Sequence, residues 1–145
     1  MRISEVLRAK AAAGGADGTV TIAPDADVRT LLSLLAQHDI GAVVVSADGT
    51  GLDGIVSERD VVRELTRDEA VLSRPVRSIM TTDVHTCGPS EPVDALAAQM
   101  TERRVRHVPV VADGALVGVV SIGDVVKQRI AELQFERDQL DAYVQ

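Results

Sequence analysis

Gly54-Ile55-Val56-Ser57-Glu58-Arg59-Asp60-Val61-Val62 recurs as Gly118-Val119-Val120-Ser121-Ile122-Gly123-Asp124-Val125-Val126. In both stretches an apolar run ends in Ser-x-x-Asp followed by two valines. The echo extends upstream. Asp48-Gly49 matches Asp113-Gly114, Ala42-Val43-Val44-Val45 matches His107-Val108-Pro109-Val110, and Pro24-Asp25 matches Pro89-Ser90. Spacing drifts by one residue across the Asp-Gly turn, where loop length is free. Self-similarity at this scale means two copies of one supersecondary unit, so a site in one copy implies a counterpart in the other.

Hydrophobic periodicity gives each copy the order β-α-β-β-α. In the first, Thr19 to Ile22 reads as a strand. Asp25 or Asp27 caps a helix with Val28, Leu31, Leu32 and Leu35 on one face. Ile40 to Ser46 and Leu52 to Val56 are strands around the Asp48-Gly49 turn, and a helix from Ser57 points Val61, Val62 and Leu65 inward. In the second, Val84 to Cys87 reads as a strand and Ser90 as the cap of a helix with Val93, Leu96, Ala97 and Met100 inward. Val108 to Val111 and Leu116 to Val120 follow as strands, and Ser121 starts a long helix. The parts are an N-terminal helix and Ala/Gly-rich link (1–18), the first repeat (19–65), a charged, Pro75-broken linker (66–80), the second repeat (81–129) and a helical extension (130–145). Val76 to Met80 resembles the N-terminal helical turn around Ile3, Val6 and Leu7. Along the extension Val126, Ile130, Leu133, Leu140 and Val144 form a stripe broken by Arg137, which suits either a partner chain or a return onto the same domain.

The chain of 145 residues fits one domain, whereas a half of about 60 residues buries too little surface to stand alone. The copies therefore pack into a single α/β (α+β) globule. Apolar residues at 46% supply its core. A net charge of −7, with Phe135 and Tyr143 as the sole aromatics, argues against nucleic acid and anionic membrane. Cys87 is alone, no apolar run approaches a membrane span of about 20 residues, and Met1 to Lys10 is charged rather than a secretory leader. The expected location is cytoplasmic.

Ser57/Asp60 and Ser121/Asp124 each follow a buried strand and open a helix. One reading is a relative of the capping box, in which these side chains satisfy the orphan N–H groups of the first turn. The other uses the same geometry for a ligand: free amides and a partial positive charge suit a phosphate, and an Asp one turn in can accept from vicinal ribose hydroxyls. His85 and Cys87 fall two apart on one strand face, which is too few ligands for zinc, so no metal is expected. Cys87 reads as a small buried thiol rather than a nucleophile, and no convergent catalytic set appears.

From Thr19 to Arg129 the chain resembles a tandem pair of cystathionine-β-synthase (CBS) domains. The resemblance rests on Gly-h-h-Ser-x-x-Asp (h apolar) in both halves and on Arg106-His107-Val108-Pro109-Val110 before the second hairpin. It implies two repeats packed about a pseudo-twofold axis and a regulatory module that binds AMP, ADP, ATP, NAD(H) or S-adenosylmethionine without catalysis. Asp60 and Asp124 would take the ribose, and Ser57 and Ser121 the phosphate or ribose. The base would lie against Val20-Thr21 with Ile40, Gly41, Ala42 and Val43, and against His85-Thr86 with Val105, Arg106, His107 and Val108, and Pro109 is a further ligand-binding position. Arg59 of the first copy stands against Gly123 of the second, and Arg106-His107 of the second against Gly41-Ala42 of the first, so equal affinity of the two sites is not expected. The resemblance further implies a side-by-side homodimer and a separate effector protein. A scaffold whose Ser-x-x-Asp pairs are caps alone is the competing reading.

Overall fold

The computed structural model describes residues 1–12 and 19–144, so most of the expected Ala11 to Gly18 link lies outside it. In chain order its elements are α1 (Ile3–Ala12), β1 (Thr21–Ile22), α2 (Val28–His38), β2 (Ala42–Val45), β3 (Gly54–Ser57) and α3 (Glu58–Leu65). After two 3-10 turns, Glu69–Ser73 and Val76–Ser78, come α4 (Val93–Arg103), β4 (His107–Ala112), β5 (Ala115–Ser121) and α5 (Ile122–Val144). The architecture is a mixed α+β pair of repeats.

Two cores form, one per repeat, and each is completed by a segment that precedes the other repeat. Ile22, Val28, Leu31, Leu35, Val43, Val45, Val56 and Val61 enclose Val71 and Val76. Cys87, Val93, Leu96, Met100, Val108, Val110, Val120 and Val125 enclose Ile3 and Val6 from α1. Backbone bonds repeat the exchange. Ile3 N–H donates to Glu91 O at 3.0 Å and Ser4 N–H to Pro89 O at 2.8 Å. Their counterparts are Val76 N–H to Ala26 O at 2.8 Å and Arg77 N–H to Pro24 O at 3.0 Å. The stretch expected to be a linker is thus partly core, since Val71 and Val76 are fully buried. Burying side chains of this size stabilises by about 1.5–3 kcal/mol each, so neither lobe is complete without its borrowed segment.

The leading glycine of each repeat motif serves this exchange. A Cβ on Gly118 would lie 2.7 Å from Leu7 Cδ2, and one on Gly54 would lie 2.7 Å from Thr81 O and 2.8 Å from Met80 Sδ. Leu7 and Met80 are therefore equivalent lids, and only glycine lets them close onto the strand.

Several expectations are settled or corrected. Asp27, not Asp25, caps α2, accepting from Thr30 N–H at 2.8 Å. Ser90 caps nothing: α4 begins after Pro92 without a side-chain cap, and its Val93 N–H donates to Met1 O. Val62 and Leu65 point outward, as does Val126, because α3 and α5 turn only Val61 and Val125 to the sheets. The expected strand Val84 to Cys87 shrinks to one bridge, Cys87 to Val110. In the first lobe β1 pairs in parallel with β2 at Thr21–Val44 and Ile22–Val45. The position matching Val44 is Pro109, which has no N–H to make the next rung. Finally, α5 does not fold back: every described residue from Leu133 onward is exposed.

Candidate functional site

Two open clefts lie between the lobes, and each draws on both repeats. The first, about 380 Å³, has Ser57, Glu58, Arg59 and Asp60 from one side and Asp83, Val84, His85, Arg104, Val105, Arg106 and His107 from the other. The second, about 710 Å³, joins Ser121, Asp124 and Val119 to Thr19, Val20, His38, Asp39, Ile40, Gly41 and Ala42. Gly41, Ala42 and His107 border both. These volumes fall in the range of small-molecule sites, about 300–1,000 Å³.

The strand-to-helix junctions are built alike. Ser57 N–H donates to Asp60 Oδ2 at 2.8 Å, and Asp60 N–H to Ser57 Oγ at 3.3 Å. Ser121 N–H donates to Asp124 Oδ2 at 2.9 Å, and Asp124 N–H to Ser121 Oγ at 3.1 Å. Both junctions are therefore capping boxes. Glu58 N–H is taken by Gly41 O and Ile122 N–H by Arg106 O, which ties each helix start to the residue just before β2 or β4 of its own repeat. The next amides, of Arg59 and Gly123, have no acceptor among the described residues. A carboxylate has about four acceptor positions, so capping leaves each Asp with capacity to spare.

The remaining partners differ. Asp60 Oδ1 receives Arg63 from its own helix. Asp124 Oδ2 receives Lys10 Nζ at 3.0 Å, and the same ammonium donates to Val119 O at 3.1 Å. Oδ1 of Asp124 has no partner among the described residues. Burial pushes the Asp124 carboxyl up, but the Ser121 N–H and Lys10 outweigh it and hold the group below its ordinary value. His107 is pushed below the usual imidazole range, first by burial and then by Lys10, against the opposing pull of Asp124 and Glu58.

Of the residues singled out from sequence, Ser57, Arg59, Asp60, His85 and Arg106 come together in the first cleft. Val20, Ile40, Ser121 and Asp124 come together in the second, and Gly41, Ala42 and His107 stand between. Thr21, Thr86, Val108 and Pro109 line neither. Val108 is fully buried in the second core, where no ligand reaches it. Sequence reasoning did not single out Lys10, Glu58 or Asp83 for the clefts. Lys10 enters through the exchange of segments, which no local pattern announces. His85 is tied to α4 by Nε2···Gln99 Oε1 at 2.6 Å. The buried Cys87 thiol is pushed up to about 12 by burial and by Glu91, which leaves it protonated and a poor nucleophile.

The model of the CBS domain matches residues 17–67 and 76–130. The chain belongs to the CBS domain family. It is similar to "CBS domain-containing protein CBSX3, mitochondrial" from Arabidopsis thaliana, at 36% identity over 99% of this chain and 71% of that protein. Among solved structures it is similar to the CBS-domain containing protein ATU1752 from Agrobacterium tumefaciens, with a TM-score of 0.81 and 38% identity over 89% of this chain and 99% of that one. It is also similar to the CBS domain protein PAE2072 from Pyrobaculum aerophilum complexed with AMP, with a TM-score of 0.73 and 30% identity over 86% and 89%. No helix among the described residues is long and apolar enough to cross a membrane.

Proposed function

We propose that this CBS pair is a non-catalytic, cytoplasmic regulatory module that binds an adenine nucleotide in the clefts between its repeats and signals to a separate protein. AMP, ADP, ATP, NAD(H) and S-adenosylmethionine are the candidate ligands. The observation that carries the reading is the construction of the clefts. Each unites a Ser-x-x-Asp helix start from one repeat with an aliphatic edge from the other. In the first cleft Val84 and His85 make no backbone hydrogen bond among the described residues, so their N–H and C=O groups are available to an adenine edge. The AMP complex of the Pyrobaculum relative supports the ligand class. A ligand touching both lobes biases their orientation by its differential affinity for the two arrangements. Val62 and Leu65 on α3 and Val126 and Ile130 on α5 are exposed apolar side chains that a side-by-side homodimer would cover.

A thermal-melt panel tests this. A ligand at about 100 times its dissociation constant adds about 2.7 kcal/mol, a shift of several degrees for a chain of this size. Adenine nucleotides should raise the midpoint, and guanine and pyrimidine nucleotides should not. Asp124→Ala should then weaken binding about 10- to 100-fold.

One observation favours a second reading, a dimeric scaffold with vestigial pockets: both aspartates already complete capping boxes. A flat panel, or an Asp124→Ala variant that loses stability but keeps its affinity, would select it.

A further inference from the structure

The second cleft already holds a cation from its own chain. Lys10, on the last turn of α1, reaches across to Asp124 and to the Val119 carbonyl. No other Lys or Arg lines that cleft among the described residues. The first cleft is the reverse. It carries Arg59, Arg104 and Arg106, whose equivalents in the other repeat are Gly123, Asp39 and Gly41. Counting on from the equivalent lids Leu7 and Met80, the position of Lys10 corresponds to Asp83.

We propose that Lys10 makes the second cleft selective for an adenosine ligand bearing an anionic group over the uncharged nucleoside. This rests on the nucleotide reading above, in which Asp124 receives the sugar hydroxyls. Vicinal hydroxyls that bridge the carboxylate take Oδ1, which has no partner among the described residues, and Oδ2, which the ammonium now shares. The pair is half-exposed, with side chains 42% and 20% accessible, so loosening it is a small cost. A nucleoside bears that cost with no return. A nucleotide offers its phosphate to the released ammonium, a charge-assisted contact stronger than a neutral one. Lys10 thus rests on Asp124 and Val119 O in this structure and turns to the phosphate when a nucleotide binds. α1 holds it within reach because Ile3 and Val6 are locked in the second core.

Methyl NMR resolves the two sites in the intact chain, because Ile40 lines only the second cleft and Ile55 only the first. Adenosine and AMP are titrated separately into the wild type, Lys10→Met and Lys10→Arg. At Ile40, Lys10→Met should reduce the preference for AMP over adenosine about tenfold, while Lys10→Arg keeps it. The titration at Ile55 should not change. An unchanged preference at Ile40, or equal weakening of both ligands, overturns the role of Lys10. Shifts confined to Ile55 overturn it too, yet leave nucleotide binding standing at the first cleft. Silence of both methyls toward both compounds removes the nucleotide reading and this inference together.

Discussion

The two clefts share one scaffold and carry different charges. In each, a glycine admits a lid from the exchanged segment, a strand ends at a capping serine, and an aspartate sits one turn into the helix. Around the first, three arginines face Glu58, Asp60 and Asp83. Around the second, Lys10 faces Asp39 and Asp124. The lesson is that core positions hold the duplication while the rims diverge. Packing punishes change in Val61 and Val125 alike, whereas Arg59 and Gly123 both fit the same turn. One fold thereby carries a cleft lined by three arginines and a more acidic one.

The largest test of that symmetry removes a borrowed anchor. Ile3→Ala should destabilise the protein by about 2–5 kcal/mol, read by urea denaturation, and should loosen the second cleft while sparing the first. Next come the glycines. Gly54→Ala drives a methyl against the Thr81 carbonyl and should cost about 1–3 kcal/mol. Gly118→Ala meets only the tip of Leu7, which can swing aside, so its midpoint should fall less. Equal losses would mean that the two lids are equally rigid. At the rim, Arg106→Ala should lower ATP affinity at the first cleft about tenfold with little change at the second, measured by the separate methyl titrations.

The smallest effect is in pH. His107 borders both clefts and faces Lys10, Arg106, Glu58 and Asp124. Its folded pKa lies below the unfolded value of about 6.5, so the unfolded chain binds the extra proton first. Stability is therefore full above that value and declines as pH falls through it toward the folded pKa. His107→Asn should flatten this slope in denaturation curves collected between about pH 5 and 8.

Much of this arrangement was legible in the chain. The repeated Gly-h-h-Ser-x-x-Asp located both helix starts, because a buried strand followed by a cap leaves a strong local trace. The aliphatic edges follow only from the family resemblance, and Thr21, Thr86, Val108 and Pro109 among them line neither cleft. Three features were not read. Helical spacing places Val62 and Leu65 in the core, yet an eight-residue helix at a sheet margin buries only one narrow line. The lost strand before Cys87 was written in Pro109, whose missing N–H matters only once the parallel partner is known. Lys10 in the second cleft was invisible, since it depends on which lobe α1 chooses, and that choice is made by cores distant in sequence.

The crossing of leading segments has a consequence for how such a molecule can be cut. A fragment holding a single repeat with its own leading arm carries an arm shaped for a different core. Two such fragments satisfy themselves by trading arms, an encounter that depends on concentration. Joining the repeats in one polypeptide makes that trade intramolecular, so the intact chain behaves as an intertwined pair whose mutual embrace survives dilution.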